Sequence, residues 1–393
     1  MTYSVNFANY TIGEDAYQKV NEVCSQYGTK ALLIGGKLAL KAGKEKLEQA
    51  IGSINKKQIE EQSSNKDHIV MNSQDETDAE KSNSVRNENS ERIEIIDTVL
   101  FGTDCTYARM EELAAYAKAC GVDMIFGMGG GKALDTAKGT AEKAGLPVFT
   151  FPTIAATCAA TTALSVVYKE DGNFDSFYFY DKPARHSFID TEIIACAPEC
   201  YLRAGMGDTL GKYFECHFAA RGDELHHSSA LGREISNMCY LPLLTYGEKA
   251  MKECRENRAG VALQQAVLAN IVSTGLVSLM VLDEYNCAIA HSVYYGLVLL
   301  PGFEEENLHG DVVAYGVLVQ LMVDGEKEQA KEMKAFLQKL GIRTTLAEMG
   351  APIERDALKA VLKETVTGPD MEHIPYEVTE DMIYEAFVKV EKL

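Results

Sequence analysis

Through the first half of the chain, apolar runs of strand length alternate with amphipathic stretches. Strand-like runs fall at 31–34, 98–101, 122–126 and 147–151, and helix-like segments at 44–51, 109–120 and 132–144. This alternation predicts a mostly parallel sheet with helices on both faces. After Pro152, the runs 164–168 and 176–180 flank Glu170-Asp171-Gly172-Asn173, a strong turn sequence that predicts a hairpin. Beyond about Asp190 the period changes. Segments 263–282, 312–322 and 327–340 carry helical spacing with almost no strand-like alternation. The predicted fold is therefore an α/β amino-terminal domain with a Rossmann-like parallel sheet, followed by an all-α carboxy-terminal domain. The division is set at 1–186 and 187–393, within a transition zone at 182–192.

Between about 55 and 92 the pattern dissolves into Ser, Asn, Lys, Glu and Asp without a sustained period, which reads as an exposed polar insertion. An acidic contact segment or lid is its functional alternative. The 393 residues carry a net charge of −20, and their Lys and Arg form no long run. That balance argues against nucleic-acid and anionic-membrane partners. The amino terminus lacks a basic region followed by an apolar one, so a cytoplasmic protein is expected. The apolar stretch 268–282 is read as a buried helix, too short to span a bilayer. Ten cysteines are scattered without a CxxC pair, which fits reduced thiols.

Chemistry concentrates where the 122–126 run enters Gly127-Met128-Gly129-Gly130-Gly131-Lys132-Ala133-Leu134-Asp135. A strand that ends in glycines and opens a helix presents bare N–H groups and the positive end of the helix dipole to an anion such as a dinucleotide pyrophosphate. The spacing matches neither GxGxxG nor GxxxxGK[ST], and such a turn serves tight packing as readily as binding. His291, His309 and Asp208 are candidate metal ligands, since two imidazoles and a carboxylate suit a divalent ion. Spacing alone favours plainer roles: a core histidine, and an N-cap for Asp208. No GxSxG elbow supports acyl-transfer hydrolysis.

Taken in order, the Gly127–Lys132 turn, Pro152-Thr153-Ile154-Ala155-Ala156-Thr157, Ala204-Gly205-Met206-Gly207-Asp208, Ala290-His291 and His309-Gly310 resemble the glycerol dehydrogenase branch of the iron-containing (group III) alcohol dehydrogenases. The resemblance covers nearly the whole chain outside the polar insertion. It implies the two-domain architecture shared with dehydroquinate synthase, an NAD or NADP coenzyme, one divalent metal (zinc or iron) in the cleft, and a small-molecule substrate, with a homo-oligomer expected. By that resemblance, Asp208, His291 and His309 are the metal ligands and catalytic centre. Gly129, Gly130, Gly131 and Lys132 cradle the pyrophosphate, with Asp135 at the helix start. Thr153, Thr157, Thr162, Leu164 and Tyr168 line the nicotinamide side.

Two departures from the family pattern bear on the substrate. Cys158 stands where the family's polyol-associated aspartate is found, and a neutral thiol accepts hydrogen bonds from vicinal hydroxyls poorly. With the wording around Asp208 and the tail Ile374-Pro375-Tyr376, this is similar to the hydroxycarboxylate dehydrogenase A type, which reduces 2-oxo acids. Tyr294 replaces a second histidine, which removes a group associated with proton relay. The expected activity is hydride transfer between nicotinamide and a small carbonyl or alcohol, leaning to 2-oxo and 2-hydroxy acids. Glycerol dehydrogenase is the alternative within the class; a dehydroquinate synthase-like lyase and a non-catalytic nucleotide-binding protein are the alternatives outside it. Gly35-Gly36-Lys37 offers no carboxylate for a ribose 2′-hydroxyl, and Lys37 suits a 2′-phosphate.

Overall fold

Strand β2 (Lys30–Gly35) is buried at every position but its first, and β4 (Met124–Gly129) at all six, the signature of central strands covered on both faces. The computed structural model describes residues 4–52 and 92–393, so the polar insertion lies, but for Arg92, outside the described residues. Six strands form a sheet in the order β1-β8-β5-β4-β2-β3, and every pairing in it is parallel. The others are β1 (Tyr10–Gly13), β3 (Glu94–Leu100), β5 (Val148–Pro152) and β8 (His186–Asp190). Helices Lys37–Gly52, Tyr107–Cys120 and Gly131–Ala144 connect the strands. A separate antiparallel hairpin pairs β6 (Leu164–Tyr168) with β7 (Phe174–Phe179).

Alternation along the central strands supplies two cores. Ala31, Leu33, Phe126, Phe149, Phe151 and Phe188 pack on one face of the sheet, and Leu32, Ile34 and Ile125 pack with Leu113 and Ala137 on the other. β2 has β3 on one side and β4 on the other, so the strand order reverses between β2 and β4. In open parallel sheets the ligand crevice lies at such a switch point, outside the carboxyl ends of the strands. Both strands end there in glycine: Gly35-Gly36 and Gly129-Gly130.

Two expectations shift. β8 pairs with β1 and β5, so the sheet domain runs to Asp190 rather than stopping at 186. The Asp190 carboxylate then accepts from the Glu192 and Ile193 N–H groups and caps the next helix, which marks the change of architecture. The apolar stretch near 268–282 belongs to a longer helix, Val261–Met280, whose 20 residues are long and apolar enough to cross a bilayer by length and composition. It is mostly buried inside the fold and carries a π-helical segment at Leu268–Ser273.

That segment holds the two domains together. Asn270 Nδ2 donates to Ala155 O (2.9 Å) and Leu202 O (3.3 Å), while Thr161 Oγ1 donates to Ile271 O (2.5 Å). Ala155 and Thr161 belong to the loop after β5, so the cleft floor is pinned to the helical domain by buried hydrogen bonds.

Candidate metal and coenzyme site

The helix Glu199–Ala219 crosses His309–Val323 where glycine meets glycine. A side chain at Gly310 would lie 1.8 Å from Ala204 O, and one at Gly207 would lie 2.2 Å from Gly310 O. Gly316 allows the same approach to Ala290 on the helix Ile289–Leu297, where an added Cβ would sit 2.4 Å from the Ala290 carbonyl oxygen. Absence of side chains at these crossings lets three backbones touch, so short side chains from three helices can converge. Arg203, one turn before Asp208, locks the first crossing through a two-pronged pair with Asp311 (3.1 and 2.6 Å).

Asp208, His291 and His309 meet at that point. Asp208 Oδ1 lies 3.5 Å from His291 Nε2 and 3.3 Å from His309 Nε2. The three donor atoms fall within a 4.8 Å span, as a mononuclear divalent site requires. Burial alone would raise the Asp208 pKa, but hydrogen bonds and charge from the two imidazoles hold its carboxyl well below the ordinary range. The convergence point therefore favours positive charge.

Glu215, two turns beyond Asp208 and fully buried, orients the site. Its Oε1 accepts from the Ala288 and His291 N–H groups (2.8 Å each), and its Oε2 lies 2.5 Å from His291 Nδ1. A carboxylate on Nδ1 fixes the tautomer and leaves Nε2 as the free ligand atom. Glu215, Cys287 and His291 also cluster closely, but Glu215 is consumed by these three bonds, which makes it a support for the ligand. Tyr294 packs edge-on against the His309 ring, 4.3 Å between centroids.

Lys212 lies between Asp208 and Glu215 on the same helix, is only 7 % exposed, and donates to Asn286 O (2.7 Å) and Oδ1 (3.0 Å). Across the cleft, burial first, then Asp208, pushes the Cys158 thiol up to about 12, while Lys212 and Lys138 pull it down. Cys158 is thus a neutral thiol at neutral pH.

The glycine turn faces this cluster from the sheet. Gly129 has φ +154°, and a Cβ there would meet Ala133 Cβ at 2.8 Å. The helix it opens has no side-chain cap at Gly130, so its first N–H groups keep their capacity for an anion. Thr153 N donates to Gly129 O (3.1 Å), and Thr157 Oγ1 lies 3.3 Å from where a Gly131 side chain would begin, so both threonines adjoin the turn.

Other expected coenzyme contacts are engaged elsewhere. The Lys132 ammonium pairs with Asp104 and sits 4.5 Å over the Tyr168 ring. Asp135 is buried; one oxygen lies 2.9 Å from Lys138 Nζ and the other accepts from Val166 N–H, so its carboxylate ties the helix to the hairpin rather than serving the glycine turn. Lys138 also donates to the Thr162 and Leu164 carbonyls, which places those residues in the same buried staple. The sequence reading passed over Glu215, Lys212 and Asn270. Lys212 follows Asp208 by four residues and Glu215 follows it by seven, spacings that return to one helix face and could have flagged both.

The model of the iron-containing alcohol dehydrogenases matches residues 57–191. A glycerol dehydrogenase of Citrobacter freundii is 35 % identical over 301 residues, covering 75 % of this chain and 81 % of the relative. Hydroxycarboxylate dehydrogenase A of Escherichia coli K12 is also 35 % identical, over 298 residues, with the same coverage of each. Among solved structures, glycerol dehydrogenase from Schizosaccharomyces pombe superposes with a TM-score of 0.79 at 24 % identity, covering 100 % of this chain and 91 % of that one, which supports the two-domain fold. The chain belongs to the iron-containing alcohol dehydrogenase family and is an oxidoreductase acting on alcohols.

Proposed function

We propose that the protein reduces a small 2-oxo acid to its 2-hydroxy acid and uses glycerol poorly. The observation that carries this reading is Cys158, a neutral thiol facing Asp208 and Lys212 across the cleft at the position of the family's polyol-associated aspartate. An aspartate there would accept hydrogen bonds from two vicinal hydroxyls and repel a carboxylate; the thiol does neither. The 35 % identity to hydroxycarboxylate dehydrogenase A supports the same choice, while equal identity to a glycerol dehydrogenase supports the polyol alternative.

Asp208, His291 and His309 would hold the metal, and the glycine turn with Thr153 and Thr157 would hold the dinucleotide. When bound, the metal polarises the substrate carbonyl and the nicotinamide supplies or takes the hydride. The chain's own residues prepare that event. Glu215 keeps the His291 lone pair on Nε2, and Tyr294 walls His309 in place of a relay histidine. The Asn270 and Thr161 bonds fix the loop carrying Cys158 against the metal helix. Lys37, exposed just beyond β2 with no acidic neighbour in Gly35-Gly36, supports use of NADPH as well as NADH.

The test is a comparison of kcat/KM for 2-oxobutanoate reduction and glycerol oxidation, with NADH and NADPH, in the wild type and Cys158→Asp. The wild type is expected to favour the acid, and Cys158→Asp to move the ratio toward glycerol by roughly 10- to 100-fold. A wild type that oxidises glycerol efficiently and ignores 2-oxo acids makes the protein a polyol dehydrogenase instead.

A further inference from the structure

We propose that Lys212 is the substrate-binding cation of this site and receives the carboxylate of the 2-oxo acid; the inference rests on the 2-oxo acid reading above. The argument begins from an imbalance of charge. A buried ammonium ordinarily sits against a carboxylate, because taking it from water without a counter-ion is expensive. Lys138 follows that rule, 2.9 Å from Asp135. Lys212 does not: its two hydrogen bonds go to the backbone carbonyl and side-chain amide oxygen of Asn286, both neutral. Among the described residues, no carboxylate oxygen lies within 4.0 Å of its ammonium. An ammonium carries three donors, so one N–H remains beyond the two that Asn286 takes.

Its location gives that remaining donor a use. Lys212 follows Asp208 by one helical turn on the same face, and helical side chains lean back toward the preceding turn. Its partner Asn286 leads into the helix that carries His291, and Asn270 joins Leu202 on the Lys212 helix to Ala155 on the loop that carries Cys158, so the ammonium lies on the metal side of the cleft where the two domains meet. Burial opposes its charge, and the Glu215 and Asp208 carboxylates on the same helix favour it.

The cluster also balances in the liganded state. A divalent ion held by the ligand triad would answer Asp208 and Glu215, which would leave the Lys212 charge for a monoanion. Asp370 borders the same cluster, but among the described residues it makes no ion pair with Lys212 within 4.0 Å, so it does not occupy the remaining donor of the ammonium. A polyol would leave the ammonium without an anion; a 2-oxo acid supplies one next to the carbonyl to be reduced. Cys158 completes the device by taking away the negative charge that an aspartate would set against that anion.

The experiment uses the metal-loaded enzyme and three variants, Lys212→Met, Lys212→Arg and Asn286→Ala. The first readout is the ratio of kcat/KM for 2-oxobutanoate to that for the uncharged 1-hydroxy-2-butanone. The second is calorimetric binding of oxamate to the NADH-saturated protein, which requires no turnover. Lys212→Met is expected to lower the ratio and the oxamate affinity by roughly 10- to 100-fold, with Lys212→Arg recovering part of each. Asn286→Ala, which loosens the loop but leaves the charge, is expected to change the ratio by less than about threefold, well below the effect of losing the charged partner. Equal losses on both substrates in Lys212→Met, or identical phenotypes in Lys212→Met and Asn286→Ala, would mean that Lys212 is only a clamp for the Asn286 loop and overturn the proposal. A wild type that prefers the acid while Lys212→Met keeps that preference overturns Lys212 alone. A wild type that neither prefers 2-oxobutanoate nor binds oxamate overturns the substrate reading and the Lys212 role together. Should Lys212→Met not accumulate as folded protein, Lys212→Arg and wild-type oxamate binding still decide.

Discussion

At the carboxyl ends of β2 and β4 the coenzyme half of the site is made of backbone: glycines, an uncapped helix start, and threonines that adjoin the turn. Across the cleft the metal half is made of side chains, one from each of three helices, brought together where glycines let those helices touch. The first half depends on the absence of side chains and tolerates change in its surroundings. The second depends on three particular groups and on the carboxylate behind one of them. One fold thus contains a site defined by shape beside one defined by chemistry, and the two should fail differently.

The largest separation is expected from Asp208→Asn. Replacing the carboxylate by an amide removes the only charged ligand of the triad, and turnover should fall by roughly a thousandfold or more. NADH affinity, measured by fluorescence titration, should stay within about threefold, since no charge at the glycine turn changes. If coenzyme binding collapsed with turnover, the halves would not be separable. Next in size is Glu215→Gln. The amide holds the packing but weakens the bond to His291 Nδ1, and metal affinity should fall roughly 10- to 100-fold. Competition with a chelator measures this, and an unchanged affinity would remove Glu215 from the site's support. Gly129→Ala is the converse probe. A side chain at φ +154°, with its Cβ 2.8 Å from Ala133 Cβ, should cost about 1–3 kcal/mol of stability. It should weaken NADH by about tenfold or more, the equivalent of 1.4 kcal/mol, while metal content holds. Loss of metal in this variant would show that the glycine turn and the triad are one unit.

The same contrast explains what could be read in advance. The buried central strands and the long helices were legible because their periods are strong: the segment 327–340 coincides with the observed Lys327–Leu340 helix. β1 and β8 were not, since β1 has four residues at a sheet edge and β8 shows no polar alternation to set it apart from the turns around it. The glycine turn was legible as a turn, but its place at the strand-order reversal needed the sheet. Asp208, His291 and His309 were candidates by their chemistry, but only family resemblance set them above plainer roles, because convergence from three helices leaves no local spacing. Asp135 misled for a physical reason: a carboxylate near a helix start suits the helix dipole but would repel a bound phosphate, and here Lys138 and the Val166 N–H draw it into the hairpin. Asn270 was hidden by its apolar helix, where a lone amide carries no signal until Ala155 and Leu202 are beside it.

The central claim is that a metal held by side chains faces a dinucleotide held by backbone. Metal analysis of the purified wild type and of His291→Ala, with NADH titration of the same samples, tests it most directly. The wild type should carry about one divalent ion per chain, and His291→Ala should lose most of it while binding NADH within about threefold of the wild type. Full metal content in His291→Ala, or loss of NADH binding along with the metal, would contradict the account.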